Sequence, residues 1–273
     1  MYGIDISEHN GNIDLTKYKD QFVIIRAGWG QGHPDKKFAR NVTECEKLGI
    51  PYGLYWYSYA LNAADAKKEA KFFKDNIKGL SPSMGVWLDM EDADGWKKKN
   101  GWTPNKQRVS AVINAFCPIM QDAGFYTGVY MSYSWRSYCN DAAAKWPLWV
   151  AHWGANDGKR HGDHSNIAVL HQYTSKPLDK DYSYIGVIKG KTTPVKDVDE
   201  IVKDVLLGKY GNGAARQKAL GVNYKPVQNR INKLLPLVRR TLNGYYGNGA
   251  ARKKALGANY DMVQWIINNK VYN

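Results

Sequence analysis

Gly85-Val86-Trp87-Leu88-Asp89-Met90-Glu91-Asp92 is the stretch on which the reading of this chain turns. It reads as a short buried β-strand that runs out into carboxylates. Side chains two apart on a strand share a face. Trp87, Asp89 and Glu91 therefore point one way, while Leu88 and Met90 point the other, suited to packing under a helix. Two carboxylates side by side and away from water resist ionisation, which raises at least one pKa. That makes a proton donor usable near neutral pH, provided a substrate sits above it. An isolated Asp-x-Glu is equally a strand end trailing into an acidic loop, so the surrounding chain decides.

Outward from this stretch, strands and helices alternate. Residues 2–7 read as a strand followed by a short helix near 16–20. Residues 22–28 form a continuous apolar run, typical of a strand covered on both faces, and a helix follows near 35–48. The aromatic strand 52–60 leads into a helix at 63–77 with Gly79 as its cap. After the 85–92 strand, Thr103-Pro104 reads as an N-cap with Pro at N1. Val109, Val112, Ile113, Phe116 and Met120 then recur at helical spacing, with Pro118 expected to kink the last turn. Apolar runs at 126–131, 147–153 and 166–173 follow with fewer helices between them. Five β/α units and then extra strands predict an irregular (β/α) barrel of the TIM type. Active sites of such barrels lie at the C-terminal strand ends. Those ends would offer Asp5 and His9, Arg26 and Trp29, Tyr57 and Tyr59, Asp89 and Glu91, Tyr130, His152 and Trp153, and Gln172 and Tyr173. Acids, aromatics and an amide on one rim are the profile of a carbohydrate hydrolase.

Composition agrees. The 273 residues include 10 Trp and 19 Tyr against 6 Phe, and aromatics with a polar edge suit a groove for sugar rings. Of the net charge of +14, residues 199–273 supply +9 from 13 Lys/Arg against 4 Asp/Glu, which points to an anionic partner for the tail. The 3 cysteines lack metal-ligand spacing, and their odd number argues against a disulfide framework. No signal peptide and no run of transmembrane length is read. The expectation is synthesis in a reducing cytoplasm, without membrane insertion. His161-x-x-His164 with Asp163 lies in a loop short of further ligands, so no metal and no cofactor is expected.

Gly3-Ile4-Asp5-Ile6-Ser7-Glu8-His9-Asn10-Gly11, Ile25-Arg26-Ala27-Gly28 and Gly53-Leu54-Tyr55-Trp56-Tyr57 resemble successive signatures of the glycoside hydrolase family 25 lysozymes. So do Leu88-Asp89-Met90-Glu91-Asp92, Gly128-Val129-Tyr130, Leu148-Trp149-Val150-Ala151 and His171-Gln172-Tyr173-Thr174-Ser175. The resemblance covers about residues 1–185. It implies an N-acetylmuramidase cutting the β-1,4 bond between N-acetylmuramic acid and N-acetylglucosamine in peptidoglycan. By motif, Glu91 would be the general acid, Asp89 its companion and Asp5 an acid lining the pocket. The fourth acid of the family falls at Asp179, with Asp181 as its rival, because the preceding loop is shortened. Asp89 is either a nucleophile or the partner that orients the substrate's own 2-acetamido group. Both routes retain configuration, and the second is favoured because residues i and i+2 approach the sugar from one side. Tyr57, Tyr59, Tyr130, Trp149 and Trp153 are candidate sugar-stacking residues, each equally a core residue. Gln172 joins them as a substrate contact. Arg26 would meet a substrate anion or sit in a buried ion pair, and Asp92 and Asp94 read as solvated loop.

Past a linker at 186–198 the chain repeats with a period of 36: Tyr210-Gly211-Asn212-Gly213-Ala214-Ala215-Arg216 recurs as Tyr246-Gly247-Asn248-Gly249-Ala250-Ala251-Arg252. Each unit, 199–235 and 236–273, reads as three short helices, with Leu220, Tyr224, Val227 and Ile231 in a thin core. The units resemble the cell-wall-binding repeats of the Cpl-seven type found in phage lysins. That likeness implies that Arg216 and Arg252, backed by Asn212 and Asn248, contact the wall, although the Asn residues equally serve to hold the turn. The joint expectation is a lysin acting on Gram-positive peptidoglycan after release through a holin-type lesion. A non-catalytic wall lectin and a glycosidase of other N-acetylhexosamine polymers are the rivals. A nucleic-acid partner is not expected, since the repeats carry no known reader motif.

Overall fold

The apolar run after Gln21 becomes β2 (Phe22–Trp29), buried along all but its last residue. It is one stave of an eight-stranded barrel seen in the computed structural model, which describes residues 1–188, 198–220 and 224–272. The other staves are β1 (Tyr2–Ile6), β4 (Tyr52–Tyr57), β5 (Val86–Asp89), β6 (Thr127–Ser132), β7 (Leu148–Ala151), β8 (Leu170–Thr174) and β9 (Lys180–Ser183). Around the barrel the order is β1-β9-β8-β7-β6-β5-β4-β2, closed by pairing of β2 with β1. A two-residue strand, β3 (His33–Pro34), folds back on β2. All staves run parallel except β9, which is antiparallel to both neighbours. The sequence reading missed β9.

Helices α1 (Phe38–Leu48), α2 (Ala63–Asn76) and α4 (Lys106–Asp122) cover the strands they follow, with a one-turn α3 (Trp96–Lys99) above β5. The first and fifth crossings are only 3-10 segments, at Leu15–Tyr18 and Tyr133–Tyr138. Helix α4 does not start at Thr103-Pro104. Asn105 is extended and its side chain accepts from Arg108 N, so it caps the helix.

Alternation along the staves makes two cores. Ile4, Ile25, Leu54, Leu88 and Val129 face outward under the helices. Phe22, Ile24, Trp87, Trp149 and Leu170 fill the barrel. Gly128 makes room for this filling: a Cβ there would lie 2.3 Å from the Trp87 ring and 2.6 Å from the Pro147 carbonyl.

Met1–Pro194 and Val195–Asn273 are separate compact units. Most of the expected linker, residues 189–197, lies outside the described residues. The second unit contains α5 (Val198–Leu206), α6 (Gly213–Leu220), α7 (Tyr224–Leu242), α8 (Gly249–Leu256) and α9 (Tyr260–Asn268). Each repeat supplies three helical segments, but the third of the first repeat and the first of the second run on as the single rod α7. Val227, Ile231, Leu234 and Val238 are buried at helical spacing across the repeat boundary. An apolar stripe without a break gives the helix no reason to stop, and Pro236 costs it one backbone bond.

Replacing Gly128 by Ala should push the Trp87 indole out of its place and destabilise the barrel by about 2–3 kcal/mol, read as a lower denaturation midpoint with unchanged slope.

Candidate active site

The C-terminal ends of β1, β4, β5 and β6 meet the start of β9 at one mouth. Register places Asp89 between Tyr57 of β4 and Tyr130 of β6. Asp5 lies on β1, and Lys180 of β9 pairs with Ile4 beside it. Asp89 is buried, and its Oδ1 has no hydrogen-bond partner. Glu91, just past the strand, is half-buried and hydrogen-bonds the Asp89 carboxyl. Burial raises both; Glu91 reaches about 7, with nearby Asp179 adding to the rise and Lys97 opposing it. Asp89 is held well above the ordinary range by burial and by the Glu91 charge.

Asp5 faces Asp181 and Asp179. Of the two rivals for the fourth acid, Asp179 is half-buried at the mouth, and its charge acts on both Asp5 and Glu91. Asp181 lies deeper on β9, fully buried, where its Oδ1 accepts from Trp149 Nε1 at 2.7 Å. Burial pushes it to about 8. Gln172 ties this group together: its Nε2 donates to Asp5 at 2.8 Å, while its Oε1 accepts from Tyr130 OH and Trp153 Nε1, both at 2.9 Å.

The aromatic candidates separate. Tyr57, Tyr59 and Trp153 reach the mouth; Trp153 is 39% exposed. Tyr59 OH donates to Asp94 at 2.5 Å, and Trp96 packs edge-on against its ring. Asp94 is an exposed loop residue, as expected, and it holds the Tyr59 hydroxyl at the rim. Trp149 is corrected: at 1% exposure, packed against Tyr55, Trp87 and Tyr130, it is barrel filling and cannot stack on a sugar. Tyr130 is nearly as buried. Arg26 takes the ion-pair alternative, with Nε on Asp35 at 2.8 Å and a terminal nitrogen on Glu8 at 3.0 Å. His9 and His152 are exposed, and Tyr173 packs on Tyr2 outside the barrel. His164 pairs with His152 and His161 with Asp157. Asp92 caps α3 through the backbone N–H groups of Lys97 and Lys98.

Sequence reasoning missed Lys97. It is 1% exposed, and its ammonium donates to the carbonyls of Ser58 and Glu91. It also overlooked Glu69, buried on α2 and raised to about 7 by burial, which accepts from Tyr59 N at 2.9 Å. In the second unit Arg216 donates to Gly211 O and to Asn212 Oδ1 at 3.0 and 2.7 Å. Arg252 repeats both bonds at the same distances on Gly247 and Asn248. Each Asn thus holds its own Arg.

The family model described as "Glycosyl hydrolases family 25" matches residues 4–182, and the model of the CW_7 repeat matches 199–235 and 236–271. Lysozyme M1 of Streptomyces globisporus is 31% identical over 172 residues, covering 57% of this chain and 56% of that protein. The lysozyme of Streptococcus phage Cp-9 is 28% identical over 194 residues, covering 65% and 52%. The chain thus spans little more than half the length of these relatives. Among solved structures, the modular autolysin LytC of Streptococcus pneumoniae, in complex with a synthetic peptidoglycan ligand, superposes with a TM-score of 0.56 at 28% identity, covering 66% of this chain and 46% of that one.

Asp181 is raised from its ordinary 3.8 to about 8. A carboxyl raised in the folded state contributes stability that is complete below the lower value and lost as pH rises through the higher. Asp181→Asn should therefore flatten the fall in stability between about pH 4 and 8, by up to ~1.4 kcal/mol per pH unit, measured as denaturation midpoint against pH.

Proposed function

The chain belongs to glycosyl hydrolases family 25, and on that premise we propose that it is a peptidoglycan N-acetylmuramidase carried to the wall by its two repeats. The observation that carries this reading is the Asp89–Glu91 pair at the barrel mouth, with Glu91 raised to about 7. An acid in that range keeps its proton on about half of the molecules at neutral pH and gives it up readily.

In the reaction we infer, Glu91 protonates the glycosidic oxygen between N-acetylmuramic acid and N-acetylglucosamine. The acetamido oxygen of the muramic acid attacks its own anomeric carbon as that bond breaks, and the Asp89 carboxyl accepts the amide N–H. Water then opens the ring, giving its proton to the Glu91 carboxylate, and configuration is retained. The close spacing of the pair supports one-sided attack of this kind. Asp5 and Asp179 line the opposite wall, and Tyr57, Tyr59 and Trp153 provide faces for sugars. Arg216 and Arg252 are the proposed wall contacts. No helix among the described residues is long and apolar enough to cross a membrane, and release to the wall through a holin-type lesion completes the reading.

Purified Gram-positive walls, digested, reduced and analysed by mass, should yield N-acetylmuramitol at the new ends, whereas N-acetylglucosaminitol would mean a different glycosidase and intact walls a lectin. Glu91→Gln should remain folded and lose at least about 100-fold in rate; activity within a few-fold of the parent would remove Glu91 from its role. Activity of the parent should fall as pH rises through about 7, because the acid must carry its proton.

Replacing Arg216 and Arg252 together by Ala should weaken wall binding at physiological salt, where exposed charge is screened beyond about 8 Å. Unchanged binding would reduce the repeats to a bulk electrostatic effect.

A further inference from the structure

Lys97 belongs to the run Trp96-Lys97-Lys98-Lys99, which in sequence looks like a solvated basic turn. In the fold it is the one lysine buried among the described residues, at 1% exposure. A buried ammonium is costly unless carboxylates and carbonyls surround it, and here both do. Its Nζ donates to Ser58 O, just beyond β4, and to Glu91 O, just beyond β5, at 2.5 Å in the second case. The charge also stands 5.8 Å from the Tyr57 ring centroid and 6.0 Å from that of Trp102. The Asp92 cap on α3 fixes the backbone from which Lys97 reaches inward. One ammonium thus bridges the ends of the two strands that carry the rim aromatics and the carboxylate pair.

We propose that Lys97 is a positioning residue for the proton donor: it clamps the Glu91 main chain through the carbonyl and places a fixed positive charge beneath the Asp89–Glu91 pair. This rests on the reading of Glu91 as the acid. Four carboxylates face the ammonium, Asp89 and Glu91 from the β5 end, Glu69 from α2 and Asp92 from the loop. Glu91 itself also faces Asp179 of the β9 side and Asp94 of the rim loop. Arg26, the other buried cation near Asp89, is already engaged by Glu8 and Asp35. Lys97 opposes the upward push of burial on both members of the pair, with Arg26 adding to it at Asp89. Without it the pair would hold its proton too tightly to be a good donor.

The test compares Lys97→Met with Lys97→Arg in the full chain, on soluble muropeptide oligomers, with folding checked by circular dichroism. Lys97→Met should move the alkaline limb of kcat/KM upward by about one pH unit and lower kcat about 10- to 100-fold with KM within a few-fold. Titration of the Glu91 carboxyl by NMR in the same variant should shift the same way. Lys97→Arg keeps the charge but cannot fit a point donor between two carbonyls. Its limb should stay near the parent's while kcat falls. A folded Lys97→Met whose limb and Glu91 titration match the parent's overturns the proposal and leaves Lys97 as packing. Should Lys97→Met not fold, parental kcat in folded Lys97→Arg overturns it equally. Failure of the underlying reading would look different, because Glu91→Gln would then stay active whatever Lys97 variants do.

Discussion

Five carboxyl groups, Asp5, Asp89, Glu91 and Asp179 at the mouth of one barrel and Asp181 deeper within it, crowd together largely away from water. Ionising all of them there is prohibitively unfavourable, because burial and mutual repulsion act in the same direction. The group answers with protons and fixed dipoles. Asp89 stands against Glu91 and Asp5 against Asp181, and burial raises all four above the ordinary carboxylate range. Gln172 and Trp149 provide the N–H donors that hold the second pair in place. The barrel staves must keep these partners in register, and the interior indoles keep water from beneath them. The structure of the mouth is in this sense a device for keeping protons on acids at neutral pH.

The strand 85–92 made the barrel and its acidic rim legible, because period-two alternation sorts Trp87 and Asp89 from Leu88 and Met90 without reference to anything distant. β9 stayed hidden for the same reason. Lys180-Asp181-Tyr182-Ser183 puts a carboxylate and a hydroxyl inward, and a strand that buries polar groups against other polar groups has no apolar pattern to find. Trp149 was misassigned because alternation gives the face of a residue and not its depth. It faces the same interior as the mouth residues but is enclosed there by Tyr55, Trp87 and Tyr130.

Lys97, Asp94 and Glu69 mark another limit. Each sits in a charged, locally hydrophilic stretch, and each matters through partners 35 to 39 residues away or on another element: Tyr59 for Asp94, Ser58 for Lys97. Nothing local separates a lysine that faces solvent from its neighbour that turns inward. Arg26 was the reverse case, since an Arg inside an apolar strand must find carboxylates, and Glu8 and Asp35 were available on flanking segments.

The wall-binding role proposed for the repeats acquires a geometric condition from α7. Two weak sites gain avidity only if the ligand offers its groups at a separation that both can meet, and a flexible joint relaxes that condition at the expense of effective concentration. Helix α7, 19 residues long, spans about 28 Å at 1.5 Å per residue and joins the repeats through a helix with no flexible break. Arg230 on this rod adds to the stiffness by holding Asp199 of the first repeat and Asn259 of the second. Arg216 and Arg252, each pinned by its own Asn, thus belong to repeats joined by this one helix. Such a pair suits a polymer whose recognised groups recur at regular intervals, and it would gain little from the same groups scattered on short, independent fragments.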